Sequence, residues 1–246
     1  MPIVDCHVTL EGNLVPTVSQ NASQLADLLA VRGIERAIVT SARAARVDPL
    51  SGNHLLKSLI EPHPGLFACL TMHVNRVDAS IQAARELLGG RRFVSVMLTS
   101  TDPSVPLHPL VADEVLNACR RYQKPIFIPT PNAACVETAL HLAKTYTMHK
   151  FILLGMGGSD WRTAIAAAQQ AANISLEMSG SLDRAKVPAA IEALGSHRLL
   201  FGSGLPALDP VAALGLLDDG DVRPNDRRRI LVDNAEKVFG LPALTI

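Results

Sequence analysis

The side chains in this sequence that are equipped for acid–base work fall at the ends of short apolar runs. In Ile3-Val4-Asp5-Cys6-His7-Val8-Thr9 the polar residues alternate. A strand there would send Asp5, His7 and Thr9 to one face and Val4, Cys6 and Val8 to the other. Ile174 to Ser179 repeats the pattern with Ser175, Glu177 and Ser179, Ser95 and Thr99 alternate in another run, and His73, Thr130 and Ser203 lie at the ends of others. An imidazole near neutrality can take or return a proton, and a carboxylate can act as a general base. His7, His73 and Glu177 are therefore the candidate catalytic groups. Asp5, Thr9, Thr99, Thr130, Trp161, Ser179 and Ser203 are the candidate ligand contacts, with Trp161 expected to close the pocket. Glu177 would face an interior in which an unpaired carboxylate is costly, so it is expected to meet a cation, a donor or water.

These residues need elements that bring them to one place. Eight strand-like runs follow one another: Ile3–Thr9, Arg36–Ser41, Leu66–Val74, Phe93–Thr99, Pro125–Thr130, Phe151–Leu154, Ile174–Ser179 and Leu199–Gly202. Helical patterns separate them. Asn21 with Gln24 spells a helix cap after a polar loop, Asp78 is placed to cap another helix, and Leu182–Leu194 reads as a helix kinked at Pro188. Strict alternation with this count predicts a (β/α)8 TIM barrel whose polar strand ends meet at one mouth. The rival is an open doubly wound sheet. No linker interrupts the pattern, so residues 1–246 are read as one domain, with the helices of about 209–240 completing it. Met97 is expected as core filler, and the Gly155–Ser159 stretch as a tight turn and helix cap.

Composition narrows the function classes. The 246 residues carry 23 Lys plus Arg against 23 Asp plus Glu. A pI near 7.1 offers no field to draw nucleic acid or an anionic membrane. Arg227-Arg228-Arg229 is accordingly read as a solvated helix face. A small-molecule ligand is the expected partner, and assembly with further copies of the chain stays open. No secretory leader pattern and no stretch of 18 apolar residues is present, so a cytoplasmic protein is expected. Cys6, Cys69, Cys119 and Cys135 have no paired spacing and read as reduced thiols rather than a zinc ribbon. His54, His63, His108, His141, His149 and His197 fall on helices or loops and read as surface residues.

Four stretches together resemble the amidohydrolase superfamily, in particular its amidohydrolase-related branch. They are Asp5-Cys6-His7-Val8-Thr9, Leu154-Gly155-Met156-Gly157-Gly158, Leu200-Phe201-Gly202-Ser203-Gly204-Leu205-Pro206 and Asp233 to Leu241. The resemblance spans nearly the whole chain and implies the same barrel. Relatives include metal-dependent decarboxylases, hydratases and dicarboxylate lactone hydrolases. The family pattern has Asp-x-His-x-His on the first strand, a His ending the fifth, His-Met-Gly-Gly on the sixth and Gly-Ser-Asp on the eighth. Those groups hold one or two divalent metals.

This chain keeps His7 and has Thr9, Pro129, Gly155 and Gly204 at the other positions. A catalytic zinc keeps about three protein ligands, and the Asp replaced by Gly204 is also the family's general base. The resemblance therefore implies a barrel without its metal site and no cofactor, binding a small polar ligand. Two alternatives stay open. One is a metal-independent hydrolase of a lactone, ester or amide using His7, His73 or Glu177 as base. The other is a metal-dependent hydrolase or decarboxylase whose relocated ligands are His7, His73 and Glu177.

Overall fold

In the computed structural model, which describes residues 2–10 and 21–244, the eight expected strands all form. They are β1 (Val4–Leu10), β2 (Arg36–Ser41), β3 (Leu66–His73), β4 (Phe93–Thr99), β5 (Ile126–Pro129), β6 (Phe151–Leu154), β7 (Ile174–Glu177) and β8 (Leu199–Leu200). Neighbours pair in parallel in sequence order. The ring closes where β8 and the residues after it meet β1. Cys6 N–H donates to Phe201 O at 2.9 Å, Gly204 N–H to His7 O at 3.0 Å and Thr9 N–H to Leu205 O at 2.8 Å. This is a single-domain (β/α)8 barrel, not an open sheet.

Helices α1 (Ala22–Val31), α2 (Ala42–Arg46), α3 (Pro49–Ile60), α4 (Val77–Leu87), α5 (Pro109–Cys119), α6 (Ala133–Thr145), α7 (Trp161–Gln170), α8 (Lys186–Leu194) and α9 (Pro210–Asp219) cover the strands. Asn21 and Gln24 form the expected capping box at the start of α1; the polar loop before it falls at 11–20, outside the described residues. Two local expectations are corrected. The cap of α4 is Arg76, so Asp78 lies inside the first turn, where its charge still suits the helix dipole. Helix α8 begins only at Lys186, which puts Pro188 in the first turn, where a missing N–H costs nothing, so it does not kink the helix.

Two apolar layers hold the barrel. An outer one lies between strands and helices, and a small inner one includes Val4, Cys6, Ile38, Cys69, Met97, Phe127 and Leu200. The C-terminal helices α10 (Pro224–Arg228) and α11 (Asn234–Phe239), joined by a π-helical turn, add Ala235, Phe239 and Leu241 to that inner layer. Phe239 stacks on Phe127 with ring centroids 5.6 Å apart, closing the barrel from below.

The first strand is not a regular pleat. Asp5 pairs with Ala37 but Val8 with Val39, so β1 carries one extra residue there. A bulge of this kind breaks the two-residue period. Val4 and Cys6 enter the inner core below it, whereas His7 and Thr9 line the cavity above it. The expected single face for Asp5, His7 and Thr9 is thus split by the bulge, which turns His7 toward the mouth.

Candidate active site at the barrel mouth

The C-terminal ends of the strands enclose a cavity of about 840 Å³. Its walls are mainly apolar, with Ala42, Met97, Pro129, Pro131, Leu154 and Leu208 among them, and His7, Thr9, Thr40, Thr99, Thr130 and Ser179 supply polar points. Met97 therefore serves both the inner core and the cavity wall. A second space of about 850 Å³ opens at the opposite end, beside the starts of β2 and β3. Barrels of this kind work at the C-terminal end.

The polar centre of the mouth is a dyad. Nδ1 of His7 lies 3.3 Å from Oε2 of Glu177 and 3.1 Å from Ser179 Oγ. The hydroxyl of Ser179 donates to the same Oε2 at 2.7 Å, so its hydrogen is committed and Nδ1 is the group that carries the shared proton. Glu177 also accepts the N–H of Gly155 at 3.0 Å and of Ser179 at 2.7 Å. A fully buried carboxylate is held here by four donors, as its interior position requires.

Burial alone would push the His7 pKa down, but the hydrogen bond and charge of Glu177, with Asp5 behind, hold it above the usual value. Burial likewise opposes ionisation of Glu177, and the contacts with His7, Gly155 and Ser179 outweigh it and hold the carboxylate below its usual range. Nε2 of His7 has no protein partner among the described residues, and the side chain keeps 23% of its surface exposed.

Room for the dyad comes from Gly202. A Cβ there would stand 2.1 Å from Oε1 of Glu177 and 2.8 Å from the His7 Cβ. The turn after β6 is tight, as expected, with Met156, Gly157 and Gly158 at positive φ. Two of its N–H groups are already used, Gly155 on Glu177 and Gly157 on Thr130 Oγ1 at 3.3 Å.

Asp5 straps β1 to β8, its Oδ1 accepting N–H groups from His7 at 3.1 Å and Ser203 at 3.0 Å, while Oδ2 is buried without a partner. Burial raises its pKa to about 6, opposed by the Ser203 and His7 contacts. An acid with a raised folded pKa loses its contribution to stability as pH rises from 3.8 toward 6. Asp5→Asn removes that loss. The stability of the variant relative to wild type should climb across this window by at most about 3 kcal/mol, read by urea unfolding at several pH values.

Several expected contacts sit elsewhere. Trp161 is buried, its indole N–H donates to Asp183 at 2.9 Å, and Arg162 stacks on its ring at 4.0 Å. It does not line the cavity and so does not close it, because α7 turns its first residue toward the 181–185 loop. Ser203 is buried too, its hydroxyl accepting Leu205 N–H at 3.1 Å. Thr9 and Thr130 line the cavity with their hydroxyls engaged, Thr9 on Thr40 at 3.0 Å and Thr130 on Leu154 O at 2.8 Å. His73 is buried in an adjoining recess lined also by Thr99 and Arg76.

Of the histidines read as surface residues, His54, His108, His141 and His197 are exposed and His63 is half-buried. His149 is instead buried, with both ring nitrogens unpartnered, because it packs edge-on against Phe151 at 6.3 Å. The three arginines at 227–229 are solvated as read and pair with Asp218, Asp233 and Asp226.

One functional residue escaped sequence reasoning. Lys186 is fully buried, and its ammonium donates to the carbonyls of Met178 at 2.5 Å, Ser179 at 3.0 Å and Ser181. It pins the segment that delivers Ser179 to the dyad. Burial lowers its pKa to about 8 against the charges of Glu177 and Asp183, which leaves an ammonium at neutral pH to serve three acceptors. A lysine at the start of an amphipathic helix gives no signal of this in sequence.

The donors do not fit the metal that the family resemblance implies. Thr9, Pro129, Gly155 and Gly204 offer no imidazole or carboxylate, and the Thr9 hydroxyl is bonded to Thr40. The relocated set fails as well. His73 points its Nδ1 at Asn75 N–H, 3.2 Å away in the neighbouring recess, and Glu177 has both oxygens occupied. Among the described residues no three His, Cys, Asp or Glu side chains come together as a metal-holding group.

Comparison with known proteins agrees with the fold. The chain is similar to the 2,6-dihydroxybenzoate decarboxylase from Rhizobium at 16% identity and TM-score 0.78, over 98% of this chain and 99% of that one. A dihydroxybenzoic acid decarboxylase from Polaromonas, solved with manganese and 2-nitroresorcinol, gives 14% and 0.78 over 98% and 97%. The 5-carboxyvanillate decarboxylase from Sphingomonas paucimobilis gives 10% and 0.74 over 98% and 99%. No protein of curated function matches the sequence. No helix among the described residues is long and apolar enough to cross a membrane. The family model described as Amidohydrolase matches residues 4–241, and the chain belongs to the amidohydrolase family.

Proposed function

We propose that this chain is a metal-independent member of its family whose barrel mouth binds a small molecule with a mainly apolar body and a polar end presented to His7. The observation that carries this reading is the state of Glu177. The carboxylate that could have joined His7 on a cation is instead spent on His7 itself and on three donors from Gly155 and Ser179. The apolar walls revise the expectation of a wholly polar ligand, since a site of this size takes most of its affinity from apolar contact and its orientation from a few polar groups. The decarboxylases with the same fold act on or bind aromatic carboxylates, which suits such a cavity.

A specific observation favours a second reading, hydrolysis without metal. Glu177 fixes the His7 proton on Nδ1 and leaves the Nε2 lone pair toward the cavity, the arrangement of a general base. In the corresponding step, Nε2 takes a proton from water as the hydroxide adds to a lactone or ester carbonyl. The carbon–oxygen bond to the leaving group then breaks, and the imidazolium returns that proton to the departing oxygen.

The test is a panel of small lactones, esters and aryl carboxylates on EDTA-treated protein. Saturable thermal stabilisation supports binding. Turnover that is lost in His7→Ala adds the base mechanism. A response that appears only when zinc or manganese is restored contradicts both readings.

A further inference from the structure

Beside the mouth cavity lies a recess of about 280 Å³ that the dyad does not use. Ala45, Arg46, Thr99 and Pro103 border both spaces, so the two lie side by side. The recess is walled by Arg46, His73 and Arg76, and among the described residues neither space has an acidic side chain in its lining.

Three features give this corner a direction. First, Arg46 ends α2 with an exposed guanidinium that has no hydrogen bond or ion pair among the described residues. Second, Arg76 is anchored, its guanidinium donating to the carbonyls of Arg46 and Val47, so its charge is fixed at the rim. Asp48 lies within the field of that charge but does not line the recess. Third, His73 is 2% exposed and its tautomer is set by geometry. Nδ1 accepts the backbone N–H of Asn75 at 3.2 Å, and an N–H cannot accept in return. The ring hydrogen must therefore be on Nε2, which has no protein acceptor among the described residues. Burial and the Arg76 charge oppose a second proton on this ring.

We propose that this recess is an oxyanion subsite, in which His73 Nε2–H, Arg46 and Arg76 hold a carboxylate or phosphate of a ligand whose apolar body extends into the main cavity. A buried neutral donor in a recess shared with two arginines, with no acid among its described lining residues, is matched by an acceptor-only anion rather than by a neutral or cationic group. The inference deepens the binding function proposed above and rests on that reading of the mouth. It assigns the anionic end of the ligand to β2 and β3, and leaves the opposite end at His7.

The test uses full-length, metal-depleted protein with benzoate, inorganic phosphate and neutral benzamide as probes. Binding is followed by the nitrogen resonances of the His73 ring and by thermal stabilisation. Benzoate or phosphate is expected to bind saturably and shift the His73 signal, benzamide to do neither, and Arg46→Ala to weaken the bound anion by about tenfold. Arg46 is exposed and its side chain pairs with none of the described residues, so this variant keeps the fold. The better of the two anions identifies carboxylate or phosphate as the natural group. Three results overturn the proposal: benzamide binding as well as benzoate, Arg46→Ala binding the anion like wild type, or no saturable binding of either anion. Benzoate that is lost in His7→Gln but kept in Arg46→Ala rejects the recess while sparing the cavity reading. Arg46-dependent binding in a protein later found to need metal does the reverse.

Discussion

Replacing Glu177 by Ala is expected to destabilise the protein by about 3–5 kcal/mol, the range for removing one partner of a buried ion pair. The substitution strands the N–H groups of Gly155 and Ser179 and the Ser179 hydroxyl in a dry interior, and leaves His7 without the group that orients it. Glu177→Gln should cost less, since one amide oxygen still accepts while the amide nitrogen faces donors. Both should abolish ligand binding at the mouth.

The pH dependence carries its own signature. The His7 contribution is complete below 6.5 and is lost as pH rises through its raised folded value. The Glu177 contribution is complete above 4.5 and is lost as pH falls through its lowered one. The gap between wild type and Glu177→Ala should therefore be widest between pH 4.5 and 6.5 and narrow on both sides. Urea unfolding across pH reads it, and a gap that does not change with pH would contradict the pairing.

The second large effect is expected at Gly202. Ala there sets a methyl 2.1 Å from Glu177 Oε1 and 2.6 Å from its Cδ, so the carboxylate or the strand end must move. Overpacking of this kind costs about 1–3 kcal/mol, occasionally more, and here it also parts Glu177 from His7. Gly215→Ala is the internal control. It lies within α9 with nothing within 4 Å of the added methyl, so it should stabilise by about 0.5–1 kcal/mol. Opposite signs for two Gly→Ala changes would place the first effect in the site rather than in backbone entropy. Equal signs would contradict the crowding at Gly202.

The fold was legible because each strand carries its own apolar run and turn signals, and the eightfold alternation leaves few ways to close the sheet. Glu177 was legible as well, since a carboxylate at an inward position of a buried strand must find partners, and it found His7. What period two could not show is the bulge in β1. One extra residue shifts the phase between Asp5 and Val8, so Cys6 and His7 both turn inward at different heights. Trp161 sits away from its expected place and Lys186 gives no signal for a related reason: their surroundings depend on how the 181–185 loop folds back, a contact set by tertiary packing alone. Arg46 and Arg76 carry no local pattern, and only the neighbouring ends of β2 and β3 bring them beside His73.

Elemental analysis of the purified chain measures most directly whether the mouth works without a resident metal. It should find zinc, manganese and iron well below one equivalent, with a melting temperature unchanged by EDTA. One equivalent of metal, removed by EDTA together with a fall in melting temperature and lost in His7→Ala, would contradict a mouth that works without metal.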